Sequence, residues 1–174
     1  IQAGARIIET NTFGANPYKL GKYGLSEQTE EINRAGAEIA KRCAAEGANV
    51  LVAGSMGAIG KALTPVGPMS KMDALNGFKR QATGLIDGGV DLFILETFLD
   101  LNTLLLAIEA VRTLSDLPII ALMTINQQLM TSFGHTPARV ARVLDKQPVD
   151  VIGLNCSTGP HDMLENLIPM REHT

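Results

Sequence analysis

Five short apolar runs punctuate the chain: Ala5–Thr10, Asn49–Ala53, Val90–Thr97, Pro118–Thr124 and Val149–Cys156. Each is rich in Ile, Val and Leu without strict polar alternation, the pattern of strands buried on both faces. Segments with helical periodicity lie between them. Glu27–Glu46 carries Ile32, Ala35, Ile39 and Ala40 on one stripe, and Met72–Asp87 carries Leu75, Phe78, Ala82 and Leu85 in the same way. Asn102–Leu114 follows a cap-like Asp100, groups Leu104, Ile108 and Val111, and stops before Pro118. Pro137–Leu144 and a segment from Asp162 onwards complete the alternation. The repeating unit is therefore βα, which predicts an α/β fold with a parallel sheet and right-handed crossovers.

Two architectures accommodate this repeat: a doubly wound five-stranded sheet, or a section of a TIM (β/α)8 barrel, which needs about 250 residues. The ends of the runs separate them. Polar residues close every one, as Glu9-Thr10-Asn11-Thr12, Gly54-Ser55, Glu96-Thr97, Met123-Thr124 and Asn155-Cys156. In a barrel all of these point into one mouth, whereas an open sheet strings them along a crevice with one switch point. The pattern favours the barrel. No GxGxxG follows the first run and no GxxxxGK[ST] occurs, which weakens dinucleotide and P-loop readings.

Composition narrows the function classes. With 45% hydrophobic and 19% charged residues, the 174-residue chain reads as an ordinary globular domain with one sizeable core. Fifteen basic residues against eighteen acidic ones give a net charge of −3, with no basic stripe to track phosphates, so nucleic acid is not an expected partner. No apolar run approaches the roughly 18–20 residues of a membrane span and no signal segment opens the chain, so a cytoplasmic protein is expected. Cys43 and Cys156 form no disulfide framework. The chain opens on Ile1, and IQAGA reads as the end of a helix leading into a strand, as if the sequence began inside a fold.

Several strand-end residues are candidates for chemistry. Cys156 ends a buried run and opens the small-residue loop STGP, where its sulfur is a metal ligand, a nucleophile or packing. Glu96 ends a run of apolar residues, and a carboxylate there needs a cation or several donors unless it merely caps a helix, a role Asp100 fits better. Alternation leaves open whether Glu9 or Thr10 faces the interior. The glycine-dense stretch Ser55–Gly60 serves either ligand approach or turn geometry. The polar connection from Thr124 to Thr136 suits a loop over a site. His135, His161 and His173 show no zinc-binding spacing, and Cys43 reads as a small packed helix residue.

Taken in order, Glu9–Gly14 (ETNTFG), Ala53–Gly57 (AGSMG), Asp91–Phe98 (DLFILETF), Met123-Thr124 and Gly153–Ser157 (GLNCS) resemble the homocysteine S-methyltransferase domain. That is the zinc-dependent barrel of methionine synthases, betaine–homocysteine methyltransferases and bifunctional homocysteine methyltransferase/methylenetetrahydrofolate reductases. The resemblance implies a barrel domain over residues 1–174 truncated at both ends, holding about strands two to six of eight. It implies that Cys156 is one of three cysteine ligands of one Zn ion, the other two lying beyond this chain. It implies that Glu96 receives the amino group of homocysteine, while Asn11, Thr12, Ser55, Thr124 and Asn155 line the same mouth. The activity it implies is methyl transfer from an unidentified donor to zinc-bound homocysteine thiolate, making methionine, with further domains possible in the whole protein. A chain with one ligand is then expected to bind zinc poorly, to be inactive alone, and to have unpaired edges at Ala5–Thr10 and Val149–Cys156. Two alternatives remain: another barrel enzyme, such as a pterin-binding methyltransferase domain or an aldolase, the latter needing a strand-end lysine not present here, or a complete five-stranded ligand-binding or regulatory domain without metal.

Overall fold

In the computed structural model, which describes residues 1–174, five parallel strands form one sheet in the order β1-β2-β3-β4-β5. They are β1 (Ile7–Glu9), β2 (Leu51–Gly57), β3 (Leu92–Phe98), β4 (Ile119–Met123) and β5 (Val151–Leu154). The main helices between and after them are α2 (Thr29–Ala44), α3 (Lys71–Asp87), α4 (Leu101–Arg112), α5 (Pro137–Leu144) and α6 (Pro160–Arg171), with a single turn α1 (Pro17–Leu20) before α2. Strictly sequential order with right-handed crossovers puts every helix on the same face of the sheet. A doubly wound sheet reverses its order at a switch point, so that alternative is excluded. The arrangement is an incomplete (β/α)8 barrel.

The helix-covered face carries the core. Val52, Met56, Phe93, Leu95, Phe98, Ile119, Ala121 and Met123 are fully buried beneath α3 and α4 residues such as Phe78, Leu85, Leu104 and Ile108. The other face is open, and Ile7, Leu51 and Val151 are 44%, 47% and 51% exposed. Ala53 and Ser55 of β2 and Leu92 of β3 are buried on this face too, so the burial on both faces that the apolar runs predict holds at the centre of the sheet and fails towards its edges. Closure by further strands is what fills a barrel interior, and β1 and β5 are both edges here.

Charge at the two ends of the sheet has different work. At the N-terminal end, Asp91 Oδ2 accepts the Val52 amide at 2.8 Å and pairs with Lys41, while Asp150 Oδ2 accepts the Ile119 amide at 2.8 Å and pairs with Arg112. Each aspartate ties an amide at the start of a strand to a helix cation, a structural use of that barrel face. Within the strands themselves the charged residues are Glu9 and Glu96, both at C-terminal ends.

The helix boundaries follow from local chemistry. Asp100 caps α4 through the Asn102 amide, and Ser70 and Thr136 cap α3 and α5, with Pro137 at the first position of α5. The stripe of α2 departs from expectation: Asn33, Ala37, Ala40 and Ala44 are buried, whereas Ala35 and Ile39 are exposed. Its small-residue face meets α3 where Gly84 sits, and a Cβ on Gly84 would lie 2.3 Å from the Glu30 carbonyl oxygen. Close helix approach outweighed the apolar stripe, and Asn33 donates both hydrogens of its buried Nδ2 to the Ala15 and Thr29 carbonyls while its Oδ1 stays unpaired. Cys43 is likewise exposed, lining a groove with Ile8 and Ile39 beside edge strand β1, rather than packed. Gly84→Ala is expected to destabilise the domain by about 1–3 kcal/mol, the cost of overpacking, despite alanine's helix propensity advantage of about 1 kcal/mol. Denaturant unfolding checks the sign, and a stabilised variant would show that the two helices can part freely.

Candidate active site

The C-terminal strand ends converge on one continuous hydrogen-bond network. Its foundation is the loop after β1. Buried Thr12 donates from Oγ1 to the Ser55 carbonyl at 2.8 Å and shares a 2.6 Å contact with Thr10 Oγ1, which accepts the Ser55 amide at 2.9 Å. Two buried amides hold this loop from the helix layer, with Gln81 of α3 donating to the Thr12 carbonyl and Asn33 of α2 to that of Ala15. Ser55 is therefore fixed inside β2, which runs to Gly57 and takes in the start of the glycine-dense stretch. Gly57 is required there because the Phe13 ring lies 2.1 Å from where a Cβ would stand.

Ser55 Oγ donates to Glu96 Oε1 at 2.6 Å, and Asn155 Nδ2 approaches Glu96 Oε2 at 3.3 Å. Both oxygens of the carboxylate thus receive neutral donors, which orient it without neutralising it. The register resolves the Glu9 question: Glu9 pairs with Ala53 and Glu96 with Gly57 on one parity of β2, so both carboxyls share the open face. Thr10 turns into the protein. Desolvation, then the charge of Glu96 and a hydrogen bond shared with it, push the Glu9 carboxyl above its ordinary value. The strands carry no Lys or Arg, so the mouth has acidic character.

A bulge sets the other half of the site. Leu95 pairs with Ala121 and Phe98 with Met123, so Glu96 and Thr97 together stand opposite the single Leu122. Thr97 is left-handed at φ 58°, an outlier for a β-branched residue. The Asn155 side chain holds it there: Oδ1 accepts the Thr97 amide at 2.9 Å and Nδ2 donates to Thr97 Oγ1 at 2.8 Å. Thr124 Oγ1 in turn donates to the Asn155 carbonyl at 3.1 Å. The next residues, Cys156 and Ser157, are both left-handed at φ 61° and 70°. This turn presents Cys156 exposed at the mouth, its sulfur 3.5 Å from both Thr97 Oγ1 and Asn155 Nδ2.

The structure thereby gathers Ser55, Glu96, Thr124, Asn155 and Cys156 around one mouth. Thr12 supports them from beneath, at 2% exposure. Asn11 lines, together with Glu9, the groove that Ile39 and Cys43 border beside β1. The connection after Thr124 folds into turns of its own, with Asn126 Oδ1 accepting the Gln128 and Met130 amides, and Phe133 reaches a groove at the mouth lined by Ile59, Leu99 and Thr103. His161 stands with Asp162 and Glu165 on the exposed first turn of α6. Sequence reasoning missed Thr97, because nothing in a threonine after a glutamate signals a left-handed conformation.

The donor set suits a thiolate ligand. An exposed cysteine sulfur flanked by a hydroxyl and an amide N–H fits metal binding better than packing, and it is the single thiol at this mouth.

Strand order and strand-end chemistry define part of a barrel whose mouth pairs a carboxylate with a thiol. The chain belongs to the homocysteine S-methyltransferase family, whose family model matches residues 1–174. It is 32% identical over 181 residues to the methionine synthase of Mycobacterium tuberculosis, covering 99% of this chain and 15% of that protein. It is 30% identical over 178 residues to betaine–homocysteine S-methyltransferase 1 of Sus scrofa, covering 99% of this chain and 61% of that one. Among solved structures, the metallated form of the Escherichia coli homocysteine methyltransferase MmuM superposes with a TM-score of 0.86 at 21% identity, over 99% of this chain and 65% of that chain. The chain therefore spans less than two thirds of the length of each of these relatives.

Proposed function

We propose that residues 1–174 are part of a homocysteine-binding (β/α)8 barrel in a zinc-dependent homocysteine S-methyltransferase. The observation that carries this reading is the unbroken run of hydrogen bonds from Ser55 through Glu96, Asn155 and Thr97 to Cys156, which joins a carboxylate to a thiol at one mouth. Family membership supplies the reaction class.

Glu96 holds the α-ammonium of homocysteine as a charge-assisted partner, kept in orientation by Ser55 and Asn155. Thr124 steadies the Asn155 backbone, and Thr12 steadies Ser55. Cys156 is the ligand this chain supplies to zinc, with further ligands coming from elsewhere in the whole protein. When bound, the metal supplies removal of the thiol proton at neutral pH and orientation of the sulfur. The substrate loses its thiol proton, its sulfur forms the bond to the methyl carbon, and the donor keeps the electron pair of the bond that breaks. The donor's identity belongs to loops or domains that meet this mouth, near the groove lined by Leu99 and Phe133. No helix is long and apolar enough to cross a membrane, and a working thiolate favours a reducing compartment, so we read the enzyme as cytoplasmic.

Removal of zinc from the full-length protein by a strong chelator is expected to abolish homocysteine-dependent methionine formation, and zinc is expected to restore it. Metal analysis alongside the methyl-transfer assay checks this, and metal-free protein with full activity would overturn the reading.

A further inference from the structure

We infer that Thr97 is a positioning residue for the Cys156 sulfur, its hydroxyl donating to the thiolate from a backbone conformation that Asn155 holds in place. The inference rests on the reading of Cys156 as a metal ligand.

A count of hydrogens leads to it. Asn155 Nδ2 has two hydrogens and three acceptors in range: Thr97 Oγ1 at 2.8 Å, Glu96 Oε2 at 3.3 Å and Cys156 Sγ at 3.5 Å. The shortest contact takes one hydrogen, and the carboxylate is the stronger of the remaining acceptors. The amide is then fully committed. Thr97 Oγ1, having accepted from Asn155, keeps a single hydrogen to give, and Cys156 Sγ lies 3.5 Å away. The sulfur thus depends on the threonine.

The backbone supports the same assignment. A β-branched residue in the left-handed region is disfavoured by roughly 1–3 kcal/mol, and such strain persists only where surroundings over-determine it. Here the surroundings are two hydrogen bonds from one side chain. Glycine would relieve the strain, yet it would leave the sulfur without its hydroxyl donor. Hydrogen bonds from outside the ligand set orient a ligand and tune its hold on the metal, and their loss typically lowers affinity about 10- to 100-fold.

The test compares Thr97→Val with Thr97→Ser in the full-length protein, reading zinc transfer to a chromogenic chelator and the thiolate-to-metal absorption of the cobalt-substituted forms. Valine keeps the shape and the branching, so it removes the hydroxyl alone. The expected result is zinc affinity about 10-fold or more weaker in Thr97→Val, with a shifted cobalt spectrum, and wild-type behaviour in Thr97→Ser. Equal affinity in Thr97→Val and wild type overturns the assignment, as does equal weakening in both variants, which would show a general disturbance of the bulge and not loss of the hydroxyl donor. Should the valine variant fail to fold, Thr97→Ser against Thr97→Ala makes the same comparison with less bulk. Cys156→Ala run in parallel separates the two levels. If it binds zinc as tightly as wild type, the metal reading fails; if it loses zinc while Thr97→Val does not, only the positioning role fails.

Discussion

Cys156→Ala in the full-length enzyme is expected to lose stoichiometric zinc and with it methyl transfer to homocysteine. Groups that only support a metal ligand are worth about 10- to 100-fold in affinity or activity, so loss of the ligand itself should exceed roughly 100-fold. No other thiol stands at the mouth: Cys43 lies outside edge strand β1 in the groove with Ile8 and Ile39, and the side chains of His161 and His173 bond to Glu165 and the Pro169 carbonyl instead. Metal analysis of the purified variant and a single-turnover assay check the result, and a variant that kept both zinc and turnover would end the assignment of Cys156. Folding should change little, because the residue is exposed and left-handed, and the smaller alanine side chain crowds nothing.

The second large effect is expected at Glu96. Glu96→Gln keeps size and shape but removes the negative charge that faces the substrate's ammonium, and breaking a hydrogen-bonded charge pair costs about 2 kcal/mol or more, at least about 30-fold in kcat/KM. The local geometry adds to this. Oε1 and Oε2 each accept a donor, from Ser55 and Asn155, so the glutamine NH2 must displace one of them or force Ser55 to accept. A thiol acid lacking the amino group should react equally with both forms, and an equal loss for that substrate would show a general disturbance of the mouth instead. The variant also reports on Glu9. Its carboxyl titrates above the ordinary range, so the stability it contributes is present at low pH and is lost as pH rises through its folded value. Without the Glu96 charge that loss should shrink, seen as a flatter dependence of the unfolding midpoint on pH.

Much of the architecture was legible in the chain. The five apolar runs and the capped helices between them correspond to observed strands and helices, and Pro137–Leu144 matches α5 at both ends. The reason is that short Val/Ile/Leu runs, caps and prolines act locally. What was not legible depends on distant partners. The stripe on α2 was misplaced because Asn33 and Ala37 face α3 across a glycine contact, a preference for close approach that hydrophobic periodicity does not encode. Cys43 read as packed because a cysteine in a helix usually is, yet its helix borders an edge strand.

The site divides along the same line. Glu96 and Cys156 stood out because a carboxylate and a thiol closing apolar runs demand partners. Ser55, Thr124 and Asn155 follow from strand-end position, since parallel strands in a barrel aim their C-terminal ends at one mouth. The left-handed Thr97 and the placement of Glu9 on the open face required the tertiary structure.

By itself, the sequence determined the alternation of strand and helix and the polar closure of every strand, because both rest on local periodicity and on the cost of burying charge without a partner. Only the tertiary structure decided that the strand order is sequential, that Glu9 joins Glu96 on the open face, and that Asn155 holds Thr97 left-handed beside the Cys156 sulfur. These depend on register and on a bulge, and one residue of slip turns every side chain to the other face of a strand.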